Sequence, residues 1–194
     1  MAAFADLAAA ALADGRHGLA AELRDRLPAE LTRDQVHYLL FGLIFPGQLT
    51  TDPALGFLIA DLLDDRTIPA DDDVMVQETL RNHPPAPFTL WRFTTEEIEI
   101  AGARLPARAP VLVDILGIGT HPDRRPGRDL AFGAGPHHCV GAHLAALELQ
   151  VVAKVLCTDF PDARLAVPRT ALRQTGAGGI GGTRLVTLPV VLRK

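Results

Sequence analysis

Apolar residues recur at helical spacing through most of the chain's first 82 residues. Residues 3–26 are rich in Ala and Leu and read as helix, broken near Asp14-Gly15. Pro28 closes that region. Thr32, with Gln35 three residues on, forms a capping-box pattern. The helix it opens carries Val36, Leu39, Leu40, Leu43 and Ile44 on one stripe. Pro46 and Pro53 then interrupt the pattern, and a proline inside a helix loses a hydrogen bond and clashes with the preceding turn. A kink or break is therefore expected, with Asp52 as N-cap and Pro53 at the first position of a renewed helix to about Leu63.

The spacing predicts another helix over 72–82, ending before Pro84-Pro85. The period then changes. Phe88 to Phe93, Glu97 to Ile100 and Pro110 to Ile115 read as strands, with a turn at Ala101-Gly102. Residues 117–136, dense in Gly, Pro and Arg, read as coil. Val140 to Cys157 reads as an amphipathic helix. A Gly-rich turn (Gly176 to Gly182) and a strand from Arg184 to Leu192 close the chain. The fold class is mainly α with small β ribbons.

Composition changes this picture little. At 194 residues, 48% apolar and 22% charged, the chain is long enough for a core and is not of disordered composition. A net charge of −4 without basic runs argues against nucleic-acid binding. Two cysteines, Cys139 and Cys157, make no disulfide framework, so a reducing, cytoplasmic setting is the default. The start lacks the basic region of a secretory signal. The longest apolar run, Leu39 to Phe45, falls far short of the roughly 20 residues of a spanning helix. No membrane anchor is expected.

The densest chemistry lies in Phe132-Gly133-Ala134-Gly135-Pro136-His137-His138-Cys139-Val140-Gly141, the pattern F-G-x-G-x-H-x-C-x-G. Glycines there permit backbone angles and close approaches that other residues forbid. They deliver a cysteine to a helix start, where free N–H groups favour the thiolate, a suitable axial ligand for haem iron. Two plainer readings compete. A cysteine opening a helix is often a buried small hydrophobe. His137, His138, Cys139 and His143 could also suggest zinc, but the usual paired cysteines are lacking.

This loop resembles the haem-binding loop of cytochromes P-450. The resemblance implies haem b with its iron ligated by Cys139. It implies that Phe132 shields the sulfur, that Gly133, Gly135 and Gly141 shape the loop, and that His137 contacts a propionate. Glu78-Thr79-Leu80-Arg81 is similar to the family's E-x-x-R helix, whose pair locks an arginine from the coil. Arg124 is the choice for that third member, with Arg125 equally placed. Arg92 matches an arginine that reaches a propionate. Pro46-Gly47-Gln48-Leu49-Thr50-Thr51 resembles the distal helix, making Thr50 and Thr51 candidate catalytic residues. Pro46 replaces a small residue there, and Leu49 replaces the acid that relays protons with the alcohol. The alternative for Thr50 is a hydroxyl that satisfies a backbone carbonyl freed by Pro46.

The run Gly181 to Val190 is similar to the family's closing hairpin, and the coil before the haem loop is shorter than the pattern implies. The resemblance covers the whole chain as one partial domain, the C-terminal half of the cytochrome P-450 fold. Its parts are leading helices (1–30), a distal-type helix (31–64), the E-x-x-R helix and strands (72–116), coil and haem loop (117–141), and a proximal helix with terminal hairpin (142–194). The resemblance implies a haem-thiolate monooxygenase acting on a small organic molecule, with a ferredoxin or similar electron donor. Self-association, or a second chain supplying the other half, is expected. The rival reading is a non-catalytic haem-binding or auxiliary subunit.

Overall fold

A computed structural model describes residues 2–14, 18–64, 72–124, 130–176 and 181–192. The chain divides into two compact units, residues 1–50 and 51–194.

The first unit holds α1 (Ala2–Asp14), α2 (Leu19–Arg26) and the opening of α3 (Arg33–Asp64). Its core is Ala8, Leu12, Val36 and Leu40, with Leu23, Leu27 and Ile44 packed against it. The capping box forms as the pattern predicts: the Thr32 N–H donates to Gln35 Oε1 (2.8 Å), and the Gln35 N–H donates to Thr32 Oγ1 (3.3 Å). Phe45 stacks on Phe41 and meets Phe4 edge-on.

The expected break at Pro46 or Pro53 does not occur. Helix α3 runs unbroken for 32 residues. Each proline removes one N–H donor, but helical φ is what proline already prefers. The helix is packed in each unit, through Val36 and Leu40 before the prolines and through Ala54, Leu58 and Leu62 after them. Asp52 is accordingly no N-cap. Its carboxylate accepts from Arg184 Nη2 at 2.7 Å.

The second unit is built on the later part of α3, α4 (Asp72–Asn82) and α6 (Ala142–Asp159). Ala54, Leu58, Leu62, Val76, Leu80, Leu149 and Ala153 form its main core. Fully burying a leucine contributes about 1.5–3 kcal/mol, so Leu58 and Leu149 are among its strongest anchors. Gln150 Nε2 donates to Asp73 Oδ1, tying α6 to α4.

Among the described residues, the β structure is four antiparallel pairs of very short strands. β1 (Arg92–Phe93) pairs with β4 (Pro110–Val111), and β2 (Ile98–Ile100) with β3 (Ala103–Leu105). β5 (Arg164–Leu165) pairs with β8 (Val190–Val191), and β6 (Gln174–Gly176) with β7 (Thr183–Leu185). The expected strand 88–93 shrinks to its last two residues plus a bridge between Phe88 and Asp114. The strand expected over 184–192 divides into β7 and β8.

The ribbons pack on α3 through Phe57, Ala60, Leu172 and Leu185. Gly182 lets them approach the end of α4. Its N–H donates to the Pro85 carbonyl at 2.8 Å, and a Cβ there would meet the Pro84 oxygen at 2.7 Å.

The strand expected over 110–115 ends at Val111, and a helix, α5 (Ile115–Thr120), replaces its last residue and the start of the stretch read as coil. Gly117 and Gly119 looked like breakers, yet Asp114 caps the helix by accepting from the Gly117 N–H (2.8 Å). Arg125, Gly15 and turn residues 177–180 lie outside the described residues.

Candidate functional site

Phe132 anchors the cysteine loop. Its side chain is partly buried against the main core, and its carbonyl accepts the Cys139 N–H at 2.9 Å. Gly133 and Gly135 both adopt φ +73°, the left-handed region that side-chain-bearing residues rarely enter. A 3-10 turn, Gly135–His137, follows, and the His138 N–H returns to the Gly135 carbonyl at 3.0 Å. The loop closes on itself and leaves Cys139 exposed. A Cβ at Gly141 would lie 3.8 Å from Cys139 Sγ, in ordinary contact with one flank of the sulfur.

The helix after the loop begins later than expected. α6 starts at Ala142 with Gly141 as its cap, and Cys139 precedes it in a turn. The Ala142 N–H donates to the Cys139 carbonyl at 3.3 Å. The thiol is thus positioned by the glycine-hinged loop rather than by the first helical turn.

His137 and His138 are exposed, as is His143 on α6. Among the described residues, no three His, Cys, Asp or Glu side chains group as metal ligands. The histidines near Cys139 therefore do not assemble the several-ligand shell that zinc requires. One exposed thiol is the donor set that remains, and it suits an iron whose other ligands come from a macrocycle. Arg92 stands exposed on β1, opposite Val111, and pairs with no carboxylate among the described residues. An unpaired cation of that kind is suited to an anionic group on a ligand.

The E-x-x-R pair forms and recruits its third member. Arg81 Nε donates to both Glu78 oxygens, at 3.0 and 2.9 Å, and Arg81 Nη2 also donates to Oε2. Arg124 Nη2 reaches Glu78 Oε1 at 3.4 Å. Arg81 Nη1 extends to the Gly119 carbonyl at 3.3 Å, joining α4 to α5. The hydrogen bonds from Arg81 and the charges of Arg81 and Arg124 hold the Glu78 carboxyl below the usual carboxylate range, against partial burial. Gly119 was not singled out from sequence. A Cβ there would press on Arg81 Cγ and the Arg81 carbonyl, each at 3.3 Å. A cleft of about 430 Å³ opens beside this triad, with Phe132 and Gln150 also in its lining.

Thr50 and Thr51 lie on α3, at the end of the first unit and the start of the second. Thr50 Oγ1 donates to the Pro46 carbonyl at 2.8 Å, a backbone bond of the kind weighed from sequence but on Pro46's own carbonyl rather than on the one that Pro46 frees. The Pro46 carbonyl is four residues back, one turn along from the Gly42 carbonyl that Pro46 itself frees. Leu49 is exposed. No described helix is long and apolar enough to cross a membrane.

An exposed thiol on a glycine-hinged loop, with a carboxylate–diarginine lock on α4, forms a class of site suited to offering a thiolate ligand. Comparison with known proteins makes the class specific. Cytochrome P-450 monooxygenase DoxA of Streptomyces sp. (strain C5) is 47% identical over an alignment of 189 residues, 88% of this chain and 44% of the relative. The 2-hydroxy-5-methyl-1-naphthoate 7-hydroxylase of Streptomyces carzinostaticus is 36% identical over 129 residues, 60% of this chain and 31% of the relative. The structure of the Bacillus subtilis cytochrome P450 PksS superposes with a TM-score of 0.79 at 26% identity, covering 98% of this chain and 55% of that one. No family model matches the chain.

The chain belongs to the cytochrome P-450 family and has the fold of its C-terminal half. It spans about half the length of the curated relatives it matches.

Proposed function

We propose that the chain is the haem-carrying portion of a haem-thiolate monooxygenase, the two units forming parts of one partial domain. The observation that carries the reading is Cys139, exposed on a loop whose two left-handed glycines and Phe132 carbonyl fix its backbone. The residues present fit haem b. Cys139 Sγ would ligate the iron, and Arg92 and His137 would neutralise the propionates. Phe132 would shield the sulfur, with Gly133, Gly135 and Gly141 keeping the loop close to it. Haem bound there would supply oxygen activation.

The chain's own residues set how well protons are delivered. Leu49 can neither donate nor accept a proton. The Thr50 hydroxyl proton is engaged by the Pro46 carbonyl, which leaves only its lone pairs to accept from a water. Thr51 is the second hydroxyl on that turn of α3. Electrons would come from a ferredoxin or similar donor, and the substrate would be a small organic molecule, as the relatives' names suggest. The relatives favour this reading over a non-catalytic haem-binding subunit. Self-association, or a second chain supplying further parts of the fold, is a separate proposal that light scattering decides. A cytoplasmic location is proposed on the same family grounds.

The test is turnover of the haem-loaded chain, driven in parallel by a ferredoxin system with oxygen and by peroxide. The proposal expects product in both, with peroxide-driven turnover the higher and much of the ferredoxin-supplied reductant ending as peroxide. A haem-loaded chain that makes no product either way would overturn the oxidoreductase reading. Well-coupled hydroxylation from oxygen would overturn the assignment of Thr50.

A further inference from the structure

His83 follows α4 and lies outside every motif read from the sequence. Its ring stacks flat on Phe57, with centroids 4.0 Å apart and planes 4° off parallel. The Arg169 guanidinium also lies over the Phe57 ring, 5.9 Å from its centroid. Asp61, one turn along α3, accepts from Arg169 Nη2 at 2.7 Å and places Oδ2 3.9 Å from His83 Nε2. All three polar side chains are largely covered, with exposures of 24% for His83, 20% for Arg169 and 36% for Asp61.

The cluster joins separate parts of the second unit. Phe57 and Asp61 belong to α3. Arg169 opens the 3-10 turn Arg169–Ala171, next to Leu172, which packs on Phe57 and Ala60. The His83 N–H continues α4 by donating to the Thr79 carbonyl at 2.8 Å. Two residues later, the Pro85 carbonyl holds Gly182 at the edge of the ribbons. His83 therefore sits where α3, the end of α4 and the C-terminal ribbons meet.

We propose that His83 is an acid-sensitive latch, which pins the C-terminal ribbons to α3 while neutral and releases them on taking up a proton. Asp61 from α3 and Arg169 from the 3-10 turn are the charged groups that act on its ring. Burial disfavours the imidazolium most, the Asp61 carboxylate favours it, and Arg169 opposes it. The net effect holds the imidazole below its ordinary 6.5. A charged ring also competes with Arg169 for the one carboxylate they share. States in which His83 leaves the stack for water gain population as acid is added.

Because the folded state binds the proton less readily, this contribution to stability is complete above pH 6.5. It falls as the pH drops from there toward the lowered folded value.

The test is amide hydrogen exchange of the full chain at pH 7.5 and 5.5, read at Leu172 and Val186. Their N–H groups bond the Arg169 and Arg173 carbonyls. His83→Phe keeps an aromatic stack without the titration, and comparing both chains at each pH cancels the intrinsic exchange chemistry. The latch predicts that acid lowers wild-type protection by about threefold or more beyond the change in His83→Phe. Equal changes in the two chains would overturn it. If His83→Phe fails to fold, the wild-type His83 ring-proton NMR titration decides. Loss of Leu172 and Val186 protection that follows the His83 midpoint supports the latch, and loss at an unrelated pH or none refutes it.

Discussion

Replacing Glu78 with Gln keeps the shape of the triad's acceptor and removes its charge. A buried ion pair losing one partner is destabilised by about 3–5 kcal/mol, but this triad does not qualify. Side-chain exposures are 43% for Glu78, 23% for Arg81 and 32% for Arg124. Water therefore screens the carboxylate, and Arg124 is at the long limit of a hydrogen bond at 3.4 Å. Arg81 also keeps its bond to the Gly119 carbonyl in the variant. The expected loss lies between that of an exposed pair and that of a well-made charged hydrogen bond, about 1–2 kcal/mol.

The pH dependence follows from the lowered carboxyl of Glu78. Its contribution is fully present above 4.5 and is lost as the pH falls through the lowered folded value. Urea unfolding of wild type and Glu78→Gln across that range reads both effects. A loss near zero or above about 3 kcal/mol at neutral pH would refute the screened-triad reasoning. A gap that persists undiminished in acid would do the same.

Three further outcomes test the framework. Leu149→Ala removes a residue 1% exposed in the main core and should cost about 2–5 kcal/mol in urea unfolding. Gly182→Ala drives a methyl against the Pro84 and Pro85 carbonyls, so it should lower the thermal midpoint and speed exchange of the residue-182 amide. Thr32→Ala deletes half of the capping box and should cost about 1 kcal/mol, seen as faster exchange in the first turn of α3.

Much of this architecture was legible because local chemistry decided it. The capping box at Thr32, the helix over 72–82 and the Glu78–Arg81 pair rest on side chains at fixed short spacings, whereas Arg124 was expected only from the family resemblance, with Arg125 equally placed. Other features depended on packing that sequence does not display. Pro46 and Pro53 suggested a kink or break, yet α3 continues as helix through both. Gly117 and Gly119 suggested coil, yet Asp114 caps a helix there and Arg81 needs the bare Gly119 backbone. The loop motif located Cys139, but it did not reveal that α6 begins only at Ala142. His83 gave no signal, since its meaning lies in Phe57, Asp61 and Arg169, residues far apart in the chain.

The central claim is that Cys139 is the ligand through which this chain holds haem. The most direct measurement is the ferrous–CO absorption spectrum of the chain loaded with haem, beside that of Cys139→Ala. A thiolate-type spectrum in the wild type, with that spectrum and most of the haem lost in the variant, is the predicted result. A thiolate-type spectrum that survives in Cys139→Ala, or a wild-type chain that retains no haem, would contradict it.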